Sequence, residues 1–174
     1  VLGYYYLGRT YSQMKLYRDA AGYFKKSIEL RPEFDQAAID MAASHEALGD
    51  YSKAIEIYQS ILEHGDVRPA VLQRLIQLLI QQRRYEDALE QLNRAAETGL
   101  GGQETMRKIG LIHLELEQYD EAVKVFSGIL AKEPNAHAAR LYLGMAFEEK
   151  GLLDRAYEEF GRVPQGSAPY AEAA

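Results

Sequence analysis

The sequence predicts an all-α protein built as a stack of antiparallel helix pairs, and three observations carry that prediction. Alanines Ala20, Ala54, Ala88, Ala122 and Ala156 recur every 34 residues without a slip. Each 34-residue unit holds two apolar stripes at the 3.6-residue spacing of helices. A third stripe on the first helix of each unit faces neither its partner helix nor water. Such a unit cannot bury its apolar surface alone, so neighbouring units must stack into a solenoid.

The units run 1–34, 35–68, 69–102, 103–136 and 137–170, with 171–174 reading as the start of a cut sixth, all in a single domain. In each, positions 4, 7, 8 and 11 form the stripe of the first helix, as in Met106, Ile109, Gly110 and His113. Positions 17, 20, 24 and 27 form that of the second, as in Tyr119, Ala122, Phe126 and Ile129. Four residues after each marker alanine stands a large side chain: Phe24, Tyr58, Leu92, Phe126 or Phe160. Twelve before it comes Gly8, Gly110 or Gly144 in three units, with Ala42 and Ile76 in the others. Small residues at positions 8 and 20 let the two helices approach closely, and enlarging Gly144 to Leu is expected to cost about 1–3 kcal/mol by overpacking.

Acidic residues open the second helices (Glu86 and Asp87, Asp120 and Glu121, Asp154), where the positive end of the helix dipole favours them. The prolines at 32, 69, 134, 164 and 169 fall near unit boundaries, where they break no helix interior. The third stripe lies at positions 3, 10 and 14, as in Ala37, Ser44 and Leu48 or Thr105, Ile112 and Leu116. It is expected to pack on the second helix of the preceding unit.

These residues resemble the tetratricopeptide repeat family, whose 34-residue helix–turn–helix unit carries W-x2-L-G-x2-Y, then A-x3-F, then P. The first unit reads Tyr4, Leu7, Gly8, Tyr11, Ala20, Phe24 and Pro32, departing only by Tyr for Trp, and the fourth keeps Gly110, Tyr119, Ala122, Phe126 and Pro134. The resemblance covers nearly the whole chain. It implies a right-handed superhelical solenoid whose first helices line a concave face that binds partner segments.

Composition and motifs exclude other classes of function. The formal net charge of −6 argues against a general phosphate-binding surface, hence against nucleic acid. With no cysteine, disulfides, thiolate metal sites and cysteine nucleophiles are excluded, while the compartment stays open between cytoplasm and periplasm. No apolar run approaches the roughly 18 residues of a membrane span, so a soluble chain with no direct membrane insertion is expected. The start lacks both Met and a basic-then-apolar leader pattern, as in a processed chain or a piece of a longer one. His45 and His113 occupy position 11 and read as core histidines; His64 and His137 fall at turns between units. The GLGG run at 99–102 lacks the Lys-Ser/Thr of a phosphate loop and reads as a flexible junction. The remaining acids read as solvated helix faces. Neither a catalytic site nor a metal or cofactor site is expected, and the chain is not expected to be an enzyme.

A partner-binding groove is the functional expectation. Positions 2, 5, 6, 9, 12 and 13 of the first helices lie away from core and seam. The cations there, Arg9, Arg74, Arg107 and Lys108, outnumber the acids Asp40 and Glu104 at positions 2 to 9, while positions 12 and 13 carry Glu46, Glu115, Glu148 and Glu149. An acidic or carboxylate-bearing peptide segment is expected to dock across Arg74, Arg107 and Lys108. Gln73 and Gln77 are placed to bond its backbone, with Tyr5, Ile39, Leu111, Leu141 and Tyr142 for apolar contact. The two-Asn, Lys-rich carboxylate clamp of some family members is absent. Of the tyrosine run, Tyr4 is expected in the core, Tyr5 at the groove and Tyr6 at the seam toward a preceding unit. The alternative function is self-assembly through the solenoid ends, since Pro164 stops the last helix early and leaves Tyr157, Phe160 and Val163 partly open.

Overall fold

The structure, a computed structural model, describes residues 1–64 and 68–164. Pro169, residues 171–174 and the side chain of His64 lie outside the described residues. Ten helices follow one another, with no strand among the described residues: α1 (Leu2–Gln13), α2 (Tyr17–Leu30), α3 (Asp35–Ala47), α4 (Tyr51–His64), α5 (Pro69–Gln81), α6 (Tyr85–Glu97), α7 (Gly102–Glu115), α8 (Tyr119–Lys132), α9 (His137–Glu149) and α10 (Leu153–Gly161). The second helices begin at Tyr17, Tyr51, Tyr85, Tyr119 and Leu153, the 34-residue period itself. The chain divides between Arg84 and Tyr85 into two compact units. In the first, α1 packs on α2, α2 on α3, α3 on α4 and α4 on α5; in the second, α6 to α10 follow the same rule.

The marker alanines are all buried, from Ala20 to Ala156. What they admit is visible at position 8. A methyl group added to Gly8, Gly110 or Gly144 would stand 2.6, 2.6 or 2.4 Å from the ring of Phe24, Phe126 or Phe160. Glycine at position 8 therefore accompanies phenylalanine at 24, whereas the sequence sets Ala42 in the repeat with Tyr58 and Ile76 in the repeat with the smaller Leu92.

The third stripe behaves as expected at positions 3 and 10. Ala37, Ser44, Val71, Leu78, Thr105, Ile112, Ala139 and Ala146 are buried. Ala37 joins Ala20 and Phe24 of α2, and Ala139 joins Phe126 and Ile129 of α8. Position 14 departs from the expectation: Leu48 is exposed and Leu116 half-buried, because the first helices end there and turn.

That turn is the same in every unit. The amide of residue 16 donates to the carbonyl of residue 11, as in Asp50 to His45 and Gln118 to His113, and the amide of residue 15 to the carbonyl of residue 12. This is the Schellman arrangement, which requires a left-handed residue after the helix. Gly49 and Gly151 supply it at φ 75° and 73°, but Lys15, Arg83 and Glu117 adopt it at φ 60°, 56° and 57° with side chains. The GLGG run closes α6 in the same way, Leu100 donating to Ala95 and Gly99 to Ala96. Gly99, Gly101 and Gly102 all have positive φ, and Gly101 is the residue before α7. The GLGG junction is a turn of glycines at positive φ, where the first and fourth repeats carry Pro32 and Pro134.

Candidate functional site

The faces that were expected to bind a partner are set by which side chains the core claims first. Tyr5 is one it claims. Phe34, from the turn entering α3, lies with its ring 4.8 Å from that of Tyr5, and Phe24 lies 5.9 Å away. Tyr5 is buried with Ala20, Phe24 and Ala37, so it is a core ring rather than an exposed groove contact. Burial, and then the Asp40 carboxylate, push its hydroxyl pKa up. Tyr4 departs in the opposite sense. It is 39% exposed, stacks on Tyr23 of α2, and lies under the Lys26 ammonium, which also covers Tyr23. Tyr6 is exposed.

In the first unit Arg74 does not stand free for a ligand. From α5 its guanidinium grips both carboxylate oxygens of Glu46 on α3, with Nε 3.1 Å from Oε1, and donates to Gln77 Oε1 at 2.9 Å. Glu46 also accepts the hydroxyl of Tyr58 on α4 at 2.8 Å. The Glu46 side chain is 8% exposed, which corrects its expected place on a solvated face. The hydrogen bond to Glu46 raises the Arg74 pKa, and burial, then Glu46, raise that of Tyr58. The signal was in the sequence: Tyr58 occupies a core position held elsewhere by Phe or Leu, and a buried phenol needs an acceptor. Gln73 and Arg9 stay exposed and Ile39 half-buried; Arg9 forms no ion pair among the described residues.

In the second unit Arg107 and Lys108 share one acid. Arg107 Nη2 is 2.6 Å, and Lys108 Nζ 3.6 Å, from the Glu104 carboxylate on the same helix. Leu111 on α7 and Tyr142 on α9 are half-buried against the core, the Tyr142 ring 5.5 Å from Phe126. Beside Arg107, between α7 and α9, lies a cleft of about 180 Å³ lined by Ala136, Ala138 and Ala139. Arg74 stands in the first unit, Arg107 and Lys108 in the second.

Another pair escaped the pattern reading. Arg140, at a core-stripe position of α9, binds Glu159 of α10 at 2.7 Å and the carbonyl of Pro134 at 2.7 Å, with both side chains largely buried. A charge written into a core stripe was its signal. Two histidines stand at turns: His113 Nδ1 is 2.7 Å from Gln118 Oε1, and His45 Nδ1 is 3.5 Å from Asp50. No group of three or more His, Cys, Asp or Glu fit to hold a metal occurs among the described residues, and no helix there is long and apolar enough to cross a membrane.

The repeated pair of helices, buried alanines and stacked third stripe meet a matching comparison. Family models described as tetratricopeptide repeat match residues 11–71 and 47–101, and a second such model matches 107–172. The chain belongs to the tetratricopeptide repeat family. Its fold is the all-α helical-repeat solenoid of that family.

Among solved structures, the chain is similar to the MamA protein, at a TM-score of 0.71 and 19% identity, over 97% of this chain and 92% of that one. It is also similar to YrrB, a TPR protein with an unusual peptide-binding site, at 0.69 and 18%, over 98% and 89%. A curated relative, the BBSome complex member BBS4 of Bos taurus, is 22% identical over 160 residues, which is 90% of this chain and 31% of the relative.

Proposed function

We propose that the protein is a non-catalytic interaction scaffold that takes a peptide segment of a partner protein on the first-helix faces of its repeats. Membership of the repeat family supports this reading, as do the peptide-binding site of YrrB and the place of BBS4 in a complex. The carboxylate preference rests on the second unit. Arg107 and Lys108 face the single Glu104, which leaves one positive charge beside the alanine-lined cleft and the half-buried Leu111 and Tyr142. In the first unit the charge of Arg74 is already met by Glu46, so Arg9, Ile39, Gln73 and Gln77 carry contact and backbone bonding there. Tyr5 drops out of the site, because its ring is core.

Fluorescence anisotropy with labelled acidic and neutral peptides of equal length tests the reading. The acidic peptide is expected to bind more tightly, to weaken as salt rises, and to lose at least tenfold in affinity to the double variant Arg107→Glu and Lys108→Glu. Equal binding before and after that double change would overturn it.

A second reading, self-association, is favoured by exposed apolar side chains on and next to α1 and α10. Tyr157 on α10 is 80% exposed, although position 21 is buried or half-buried in every other repeat, and Tyr6 on α1 and Met14 just after it are exposed as well. Sedimentation over a range of concentrations separates the two: a constant monomer mass rejects self-association.

A further inference from the structure

Position 4 of the repeat lies near the start of its first helix, next to the inter-repeat turn. It holds Tyr4, Leu72, Met106 and Arg140 in four repeats but only Ala38 in the second. Beside Ala38 lies a cleft of about 660 Å³ in the first unit, bounded by the end of α2, the start of α3 and the last turns of α4, wider than the cleft of about 370 Å³ at the equivalent place beside Met106. Its walls are apolar: Ile28, Met41 and Ile57 are each left half-buried around Ala38. Its rim is acidic. Glu33, Asp35 and Glu56 line it, and no Lys or Arg does among the described residues. Arg31 pairs with Glu33 and Arg68 with Asp35, while Glu56 has no ion pair among the described residues.

We propose that this cleft is a second docking site, for a partner segment that seats one large apolar side chain over Ala38 and sets a lysine or arginine against the acidic rim. The occupant follows from the two properties together. An apolar hollow of this volume holds a leucine- or phenylalanine-sized side chain, and its burial supplies the attraction. A rim of carboxylates with one charge uncompensated repels acidic segments and favours basic ones. The site is built from positions 1, 4 and 7 of α3 and from α2 and α4, not from the first-helix positions 2, 5, 6 and 9 that carry the acidic-peptide reading. Opposite charge preference keeps the two sites distinct.

The test uses the whole chain and a panel of labelled hexapeptides that share a central Leu-Phe, flanked by lysines in one set and by glutamates in the other. The lysine set is expected to bind saturably and at least tenfold more tightly than the glutamate set. Ala38→Trp, which fills the hollow with a side chain suited to this position, is expected to abolish that binding, and Glu56→Lys, a surface change, to weaken it at least threefold. Thermal melts of both variants check that they fold. Lysine peptides that fail to bind, that bind Ala38→Trp as well as the parent, or that bind no better than the glutamate set overturn the proposal. So does a dimer in sedimentation that Ala38→Trp disperses, since a second copy would then be the occupant. Loss of acidic-peptide binding in the Arg107 and Lys108 double variant, with lysine-peptide binding intact, marks failure or success of each reading separately.

Discussion

Arg74 on α5 and Glu46 on α3, 28 residues apart in sequence, form a two-pronged ion pair that ties together the first helices of successive repeats. The acid is buried, the guanidinium is 47% exposed, and Tyr58 completes the group from α4. The pair is a structural tie before it is anything else.

Removing the acid is therefore expected to cost more than removing the base. Glu46→Ala leaves the Tyr58 hydroxyl and the guanidinium without their acceptor and should lower stability by about 2–3 kcal/mol. Arg74→Ala deletes a half-exposed partner, whose place water can take, and should cost about 1 kcal/mol. Urea unfolding of both variants measures the difference; equal small losses would mean that the acid is solvated after all.

Tyr58 makes the same group sensitive to alkali. Burial and Glu46 raise its pKa above the ordinary 10.0, so the folded state holds the phenolic proton where the unfolded chain releases it. The stabilisation is fully present below pH 10 and is lost as pH rises above it. Tyr58→Phe should lower stability near neutrality, through the lost hydrogen bond, and flatten the fall above pH 10. Thermal melts from pH 7 to 11 read both effects.

The facing positions 8 and 24 predict a compensating pair. Gly110→Ala puts a methyl group within 2.6 Å of the fully buried Phe126 ring and should cost about 1–3 kcal/mol. Adding Phe126→Leu, which shortens the side chain that the new methyl group meets, should recover part of that loss rather than add to it. A double-mutant cycle gives the sign of the coupling.

The left-handed turn residues offer stabilising changes. Glu117→Gly and Arg83→Gly remove a side chain from a backbone shape that disfavours it, and each should raise stability by about 0.5–1 kcal/mol. The reverse change, Gly151→Ala, meets no atom within 4 Å, so the expected loss of about 1 kcal/mol would come from backbone strain alone. Denaturant midpoints check all three.

Much of this fold was legible in the chain because repetition averages out local ambiguity. Five alanines at one spacing fix five helix pairs, and the burial of positions 3 and 10 follows from the stripe they continue. The candidate faces were less legible. Neighbouring residues on a helix differ by about 100° in direction, so one bulky neighbour reassigns a face. Phe34 does this to Tyr5, and Tyr23 draws Tyr4 aside. The partners of Arg74, Arg107 and Lys108 are settled by side-chain reach, which a helical wheel omits.

The repeat, the class of fold and the buried alanines of the helix–helix core are thus written in the amino-acid order alone, because they depend on periodic burial that each repeat spells in the same way. Which charges are consumed internally, which tyrosine is core, and how wide a cleft stands beside Ala38 emerge when the helices pack. Those outcomes depend on side chains that meet from different helices, at distances no single stretch of sequence records.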